Sequence, residues 1–177
     1  MCTSHPLLSG KPAFLVVMGV SGCGKSSVGK RVAEHLGWLF LEGDTLHPAA
    51  NVAKMHAGQP LDDADRRPWL DAIGQWMETK QIAGESAVVA CSALKRRYRD
   101  RLRRDRSNVC FVWLKVSRAE LERRLERRTN HFMPASLLDS QLATLEPPAL
   151  DEPALMIDAN GDLDATVRAT LAALKPH

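Results

Sequence analysis

Short, fully apolar runs alternate along this chain with longer segments whose apolar residues recur at helical spacing, the pattern of repeated βαβ units. Runs at 14–18, 39–41, 87–91, 109–114 and 155–157 read as buried parallel strands. Between them the 3.6-residue period predicts helices at 25–36, 49–57, 66–82, 95–104, 118–128, 135–144 and 163–174. Within 66–82, Trp69, Ile73, Trp76 and Met77 share one face, the spacing of a core stripe. Asp65 is placed to cap that helix, with Pro68 in its first turn. The chain of 177 residues contains no repeat, no low-complexity tract and no linker that would divide it, so one domain over 1–177 is expected, with "LEPPALDEP" at 145–153 its most loop-like segment.

Composition narrows the class only slightly. A net charge of +3 does not by itself call for a polyanionic partner. Four cysteines without metal spacing, a start without a signal-peptide pattern and no apolar stretch near the roughly 20 residues that span a bilayer predict a reduced, cytoplasmic protein with no membrane contact.

Chemistry enters with "GVSGCGKSS", residues 19–27, which follows the apolar run at 14–18 and opens the first predicted helix. Gly19, four residues and then Gly24-Lys25-Ser26 fit GxxxxGK[ST], a match expected by chance on the order of one per cent of the time in a chain this long. The backbone N–H groups of Gly19, Val20, Ser21, Gly22, Cys23, Gly24, Lys25, Ser26 and Ser27 are expected to cradle ATP phosphates. Lys25 then reaches the β and γ phosphates, and the Ser26 hydroxyl ligates Mg²⁺. Cys23 stands where serine would serve, at a helix start that lowers a thiol pKa, so its oxidation or alkylation is expected to block ATP.

The acceptor is not named by this loop. No guanine-reading segment is present, and the chain is too short for a large motor ATPase. "LEGDTLH" instead sets Asp44 at a strand's C-terminal edge, where it would orient or deprotonate a hydroxyl facing the γ-phosphate or, alternatively, cap the helix that follows. Further on, eight of the twelve residues at 95–106 are Lys or Arg. A nucleic-acid patch is the rival reading of that cluster, weakened by the interrupting Asp100 and Asp105 and by a single aromatic, Tyr98. Arg124 and Arg128 share one helical face, as do Arg123 and Arg127, and spacing does not choose between the pairs.

Four strings, "GVSGCGKSSVG", "LEGDTLHPAANVAKMHAGQPLDDADRRPWL", "CSALKRRYRDRLR" and "RTNHFMPASLLDSQLATLEPP", resemble in order the motifs of the small bacterial-type (thermoresistant) gluconokinases over residues 12–174. The resemblance implies an α/β, three-layer αβα P-loop NTPase fold. That fold has a five-stranded parallel sheet, is adenylate-kinase or shikimate-kinase-like, and carries a lid at about 124–140. It also implies ATP-dependent phosphorylation of D-gluconate to 6-phospho-D-gluconate in carbohydrate metabolism, by a homodimer. Carried over residue by residue, it assigns catalysis to Lys25, Asp44, Arg124 and Arg128. Contact with gluconate falls to Asp44, His47, Lys54, Arg66, Lys95, Arg99 and His131. Asn130 departs from the glycine that the family often has before His-Phe. Another small-molecule kinase, shikimate-like or nucleoside-monophosphate-directed, is the remaining alternative.

Overall fold

The computed structural model describes residues 12–127 and 135–175, so the expectations for Arg128, Asn130 and His131, and part of the lid, lie outside the described residues. The elements in order are β1 (Phe14–Met18), α1 (Lys25–Leu36), β2 (Leu39–Glu42), α2 (Ala49–His56), α3 (Asp63–Ile82), β3 (Ala87–Ala90), α4 (Arg96–Arg103), β4 (Val109–Lys115), α5 (Arg118–Glu126), α6 (Ala135–Thr144), β5 (Ala154–Asp158) and α7 (Leu163–Ala173). All strands pair in parallel, in the order β2-β3-β1-β4-β5.

The period of two along each strand divides the buried residues into two cores. From β1, Leu15 and Val17 join Val28 and Val32 of α1, Leu121 of α5, Leu138 of α6 and Val167 of α7 on one face. Phe14, Val16 and Met18 join Trp69, Ile73 and Met77 of α3 and Leu102 of α4 on the other. The result is the three-layer P-loop architecture, with β1 buried on both faces at the centre of the sheet. No helix among the described residues is long and apolar enough to cross a membrane.

The start of α3 differs from expectation. Asp62, not Asp65, is the N-cap; its carboxylate accepts from Asp65 N–H while the Asp65 carboxylate accepts from Asp62 N–H. The helix therefore runs through Pro68, and the Ala64 carbonyl loses its usual donor.

The basic segment is spent largely on intramolecular pairs. Arg96 meets Asp151, Arg97 meets Asp63, Arg101 meets Asp71 and Arg106 meets Glu78. Arg99 is the exception in burial: its side chain and that of Glu152 are 1% and 5% exposed. Its Nε and Nη2 donate to Glu152 at 2.5 and 2.9 Å, while Nη1 donates to the Ala93 and Leu94 carbonyls at 3.2 Å each. The expectation that Arg99 contacts substrate is thereby corrected. It turns inward, and every arm of its guanidinium is held by the loops flanking α4 and β5.

Burial alone would raise the Glu152 carboxyl, but the Arg99 hydrogen bond, the Ala149 N–H and the nearby cations outweigh it and hold the group below the usual carboxylate range. Because the folded pKa is lowered, this contribution is present above the unfolded value and is lost as pH falls through the folded one. Arg99→Met and Glu152→Gln should each cost about 3–5 kcal/mol in chemical denaturation, since each strands a buried partner. Arg97→Ala, at the surface, should cost under about 1 kcal/mol. Equal losses for the buried and the exposed variants would contradict this assignment.

Candidate active site

The chain leaves β1 at Met18 and turns through residues 19–27 into α1. Gly19 donates its N–H to Ser92 O at 3.2 Å, which ties the loop to the end of β3. Its φ is 141°, and a Cβ there would lie 2.8 Å from Cys23 Sγ and 3.1 Å from Leu114 O, so glycine is required. α1 starts without a side-chain cap and with no acidic residue in its first turn, whereas Asp62, Ser117 and Asp162 cap α3, α5 and α7. Its leading N–H groups are left for an anion. Lys25 Nζ folds back to Val20 O at 3.0 Å. Ser26 and Ser27 are exposed.

Cys23 lies in this loop but presents only backbone to it. Its side chain belongs to the core and packs under Gly19, with the residue 1% exposed. The expectation of a reagent-sensitive thiol is thus corrected: the turn that frees the N–H groups also drives the Sγ inward. Burial likewise pushes the Cys91 thiol up to about 12.

Two clefts flank the loop and share no lining residue. The first, about 530 Å³, takes Ser21 and Lys25 from the loop, Asp44 and His47 after β2, Arg66 and Trp69 from α3, and Ser92, Lys95 and Tyr98 after β3. Its position outside the carboxyl ends of parallel strands is where this class of sheet binds ligands. The second, about 520 Å³, is walled by residues 22–24, by Arg123, Arg124 and Arg127 of α5, and by residues 160–163 after β5.

In the first cleft, Asp44 sits on a 3-10 turn, Gly43–Leu46, with its side chain 73% exposed and Oδ1 3.8 Å from His47 Nε2. The capping alternative is not taken, because α2 starts at Pro48 without a side-chain cap. A Cβ on Gly43 would meet Ala90 O at 2.5 Å, so glycine lets the turn lie against β3. Trp69 Nε1–H then donates to Gly43 O at 2.8 Å, and the His47 ring stacks on Trp69 at 4.1 Å and 15°. Trp69 is therefore both core and wall. Burial lowers the His47 pKa, Asp44 opposes that and Arg66 adds to it, leaving a neutral imidazole near pH 7.

The cations of this cleft are not equivalent. Lys95 Nζ is 3.0 Å from Asp63, which also accepts from Tyr98 and Arg97. The Tyr98 and then the Lys95 hydrogen bonds hold Asp63 below the usual carboxylate range. Burial and the bond to Asp63 push Tyr98 up to about 12. Arg66 lies 5.8 Å over the Tyr98 ring, donates to Leu61 O at 3.4 Å, and has no carboxylate partner among the described residues. Lys54 is also paired: its ammonium is 2.6 and 2.8 Å from the Asp65 carboxylate, which the capping box sets beside it.

On the far side, Arg124 Nη1 donates to Cys23 O at 3.3 Å and Nη2 to Ala159 O and Gly161 O at 2.6 and 3.1 Å. Arg123 bonds only Glu120 among the described residues, and Arg124 Nε donates to the same carboxylate at 2.7 Å. Of the described members of the ambiguous set, Arg124 is thus the one bonded to the loop, and it joins the cradle to the loop after β5. Asp63, Tyr98 and Gln141 line the cleft without having been expected as contacts, although all three lie within the strings that carry the family resemblance.

A protein-family profile described as an AAA domain (AAA_33) matches residues 14–148. "Gluconokinase" of Gluconobacter oxydans is 54% identical over 166 residues, 93% of each chain. "Thermoresistant gluconokinase" of Escherichia coli is 42% identical over 161 residues, 90% of this chain and 92% of its own. The crystal structure of a gluconokinase from Sinorhizobium meliloti superposes with a TM-score of 0.84 at 49% identity, over 92% of this chain and 91% of that one.

In an NMR titration, His47 should show a midpoint below 6.5, and Asp44→Asn should move it further down because a charge that favours the imidazolium is gone. A midpoint above 6.5 would contradict the buried, neutral ring. Alkylation of the native protein followed by peptide mapping should leave Cys23, Cys91 and Cys110 unmodified, all three being buried; stoichiometric labelling of Cys23 would restore the discarded reading.

Proposed function

The chain belongs to the gluconokinase family of P-loop kinases, and from that membership we propose how its two clefts divide the work of phosphorylating D-gluconate to 6-phospho-D-gluconate. The observation that carries the reading is the placing of Lys25 and Asp44 on one cleft, with the uncapped start of α1 between that cleft and its neighbour. ATP lays its phosphates along the N–H groups at the start of α1, residues 24–27, since those of Gly19, Ser21 and Cys23 go to Ser92 O, Gln141 Oε1 and Val20 O, and its nucleoside lies in the second cleft beside Arg124 and residues 160–163. Gluconate occupies the first.

The chemistry then follows from charge and position. Asp44 accepts the proton of the gluconate primary hydroxyl as its oxygen forms the bond to the γ-phosphorus, and the bond from phosphorus to the ADP oxygen breaks. Lys25 offsets the charge on the transferred group. His47, neutral and stacked, offers a hydrogen-bonding edge. Arg66, free of a carboxylate partner among the described residues, is the best placed cation for the gluconate carboxylate, ahead of Lys95 with its bond to Asp63.

The residues also suit Mg²⁺. The Ser26 hydroxyl and the exposed Asp44 carboxylate are hard oxygen donors. Among the described residues no group of three or more His, Cys, Asp or Glu could hold a metal ion by itself. When bound, Mg²⁺ neutralises phosphate charge. The proposal includes one kinase domain over 1–177 with a lid at about 124–140, where Arg128 and His131 would close on the substrates, and a cytoplasmic homodimer.

A coupled ADP-release assay over gluconate, other sugar acids, shikimate and nucleoside monophosphates tests the reading. Turnover should be confined to gluconate, and activity only with another acceptor would overturn it. Lys25→Ala should abolish measurable turnover. Asp44→Asn should lower kcat by roughly 10²–10⁴ with ATP affinity changed only a few-fold. Arg66→Met should raise KM for gluconate about tenfold or more with kcat little changed.

A further inference from the structure

One side chain of the first cleft is held by the phosphate loop itself. Gln141 of α6 accepts the Ser21 backbone N–H on Oε1 at 2.6 Å, across 120 positions of sequence. Ser21 and Gln141 both line the cleft with Lys25 and Asp44. Anchoring Oε1 fixes the plane of the amide, so the two Nε2 hydrogens are its free donors. No acceptor among the described residues takes them.

The helix that carries this residue is tied down at its C-terminal end. Leu137, Ser140, Gln141 and Thr144 follow the i, i+3, i+4, i+7 spacing and face the cleft, while Leu138 and Leu142 pack into the core. Just beyond the helix, Glu146 N–H donates to Leu94 O at 2.9 Å and the Glu146 carboxylate accepts from Arg96 N–H at 2.6 Å. Gln141 thus has the makings of a reading residue: its amide oxygen is held by the Ser21 N–H, and its donors, without an acceptor among the described residues, face the cavity.

We propose that Gln141 is a specificity-determining residue of the acceptor cleft, anchored by the Ser21 amide and donating its carboxamide N–H groups to one hydroxyl of the acceptor. The proposal rests on gluconate as acceptor. A polyol presents several near-equivalent hydroxyls, and a donor tied to the phosphate loop selects the chain position that brings the terminal hydroxyl to Asp44. A site that hydrogen-bonds a hydroxyl discriminates against the analogue that lacks it, because its own donor is then left unpaired.

The test compares kcat/KM for gluconate with that for each monodeoxy-gluconate that keeps the primary hydroxyl, in wild type, Gln141→Ala and Gln141→Glu. Wild type should favour gluconate over one particular monodeoxy analogue by about tenfold or more, and Gln141→Ala should shrink that one ratio to within about twofold while leaving the others. Gln141→Glu keeps an acceptor for Ser21 N–H but loses the donors, so it should lose the same discrimination. Where turnover is too low, the ratios are read from calorimetric Kd values of whichever variant folds. Unchanged ratios for every analogue, with only the KM for ATP altered, would make Gln141 a support of the loop and overturn the proposal. A wild-type enzyme that ignores gluconate would fail the functional reading instead, and is seen before any variant is made.

Discussion

Everything at this site depends on leaving the start of α1 unsatisfied. A helix that opens without a cap exposes N–H groups that cost free energy until something anionic meets them. The fold tolerates this because β1 is buried on both faces and paired on both edges, which holds Met18 and hence the loop in place. Gly19, tied to Ser92 and closed over Cys23, leaves the chain no room to relax into a capped turn. The phosphate site is thus a local instability that the central strand maintains.

The surrounding polar groups divide into those the fold consumes and those it leaves free. Arg99, Arg101 and Arg96 are consumed by Glu152, Asp71 and Asp151, which turns a segment rich in cations into a brace between α4 and the segments around it. Asp63 gathers Tyr98, Lys95 and Arg97 and so sets the distance between α3 and α4 across the mouth of the first cleft. Against that background Arg66, Lys25 and the Gln141 carboxamide stand out because so little protein competes for them. The chemistry of a gluconate kinase, an anion with several hydroxyls approaching a triphosphate, calls for groups left in that condition.

The strands and most helices were legible because each apolar run had a length and a neighbour that admitted one reading, and the phosphate loop was legible because three glycines, a lysine and a serine at fixed spacing have few other uses. The start of α3 was not, since Asp62, Asp63 and Asp65 are all competent caps and only the reciprocal bonds between Asp62 and Asp65 choose. Arg99 was read as a substrate contact and not as spent, because Glu152 lies 53 positions away and its approach is a product of the sheet order. His47 was singled out without its stacking partner, although Trp69 was correctly assigned to the core. Gln141 was invisible for a different reason: a glutamine on an amphipathic helix is ordinary, and its meaning comes only from the backbone amide it meets.

The central claim is that one loop separates two clefts with different tenants. Backbone chemical-shift mapping tests it most directly, titrating the protein with gluconate and, separately, with a non-hydrolysable ATP analogue. Gluconate should perturb Asp44, His47, Arg66, Lys95 and Gln141, while the nucleotide should perturb residues 19–27 and 160–163. Gluconate shifts confined to residues 160–163 and α5, or none at saturating concentration, would contradict the account.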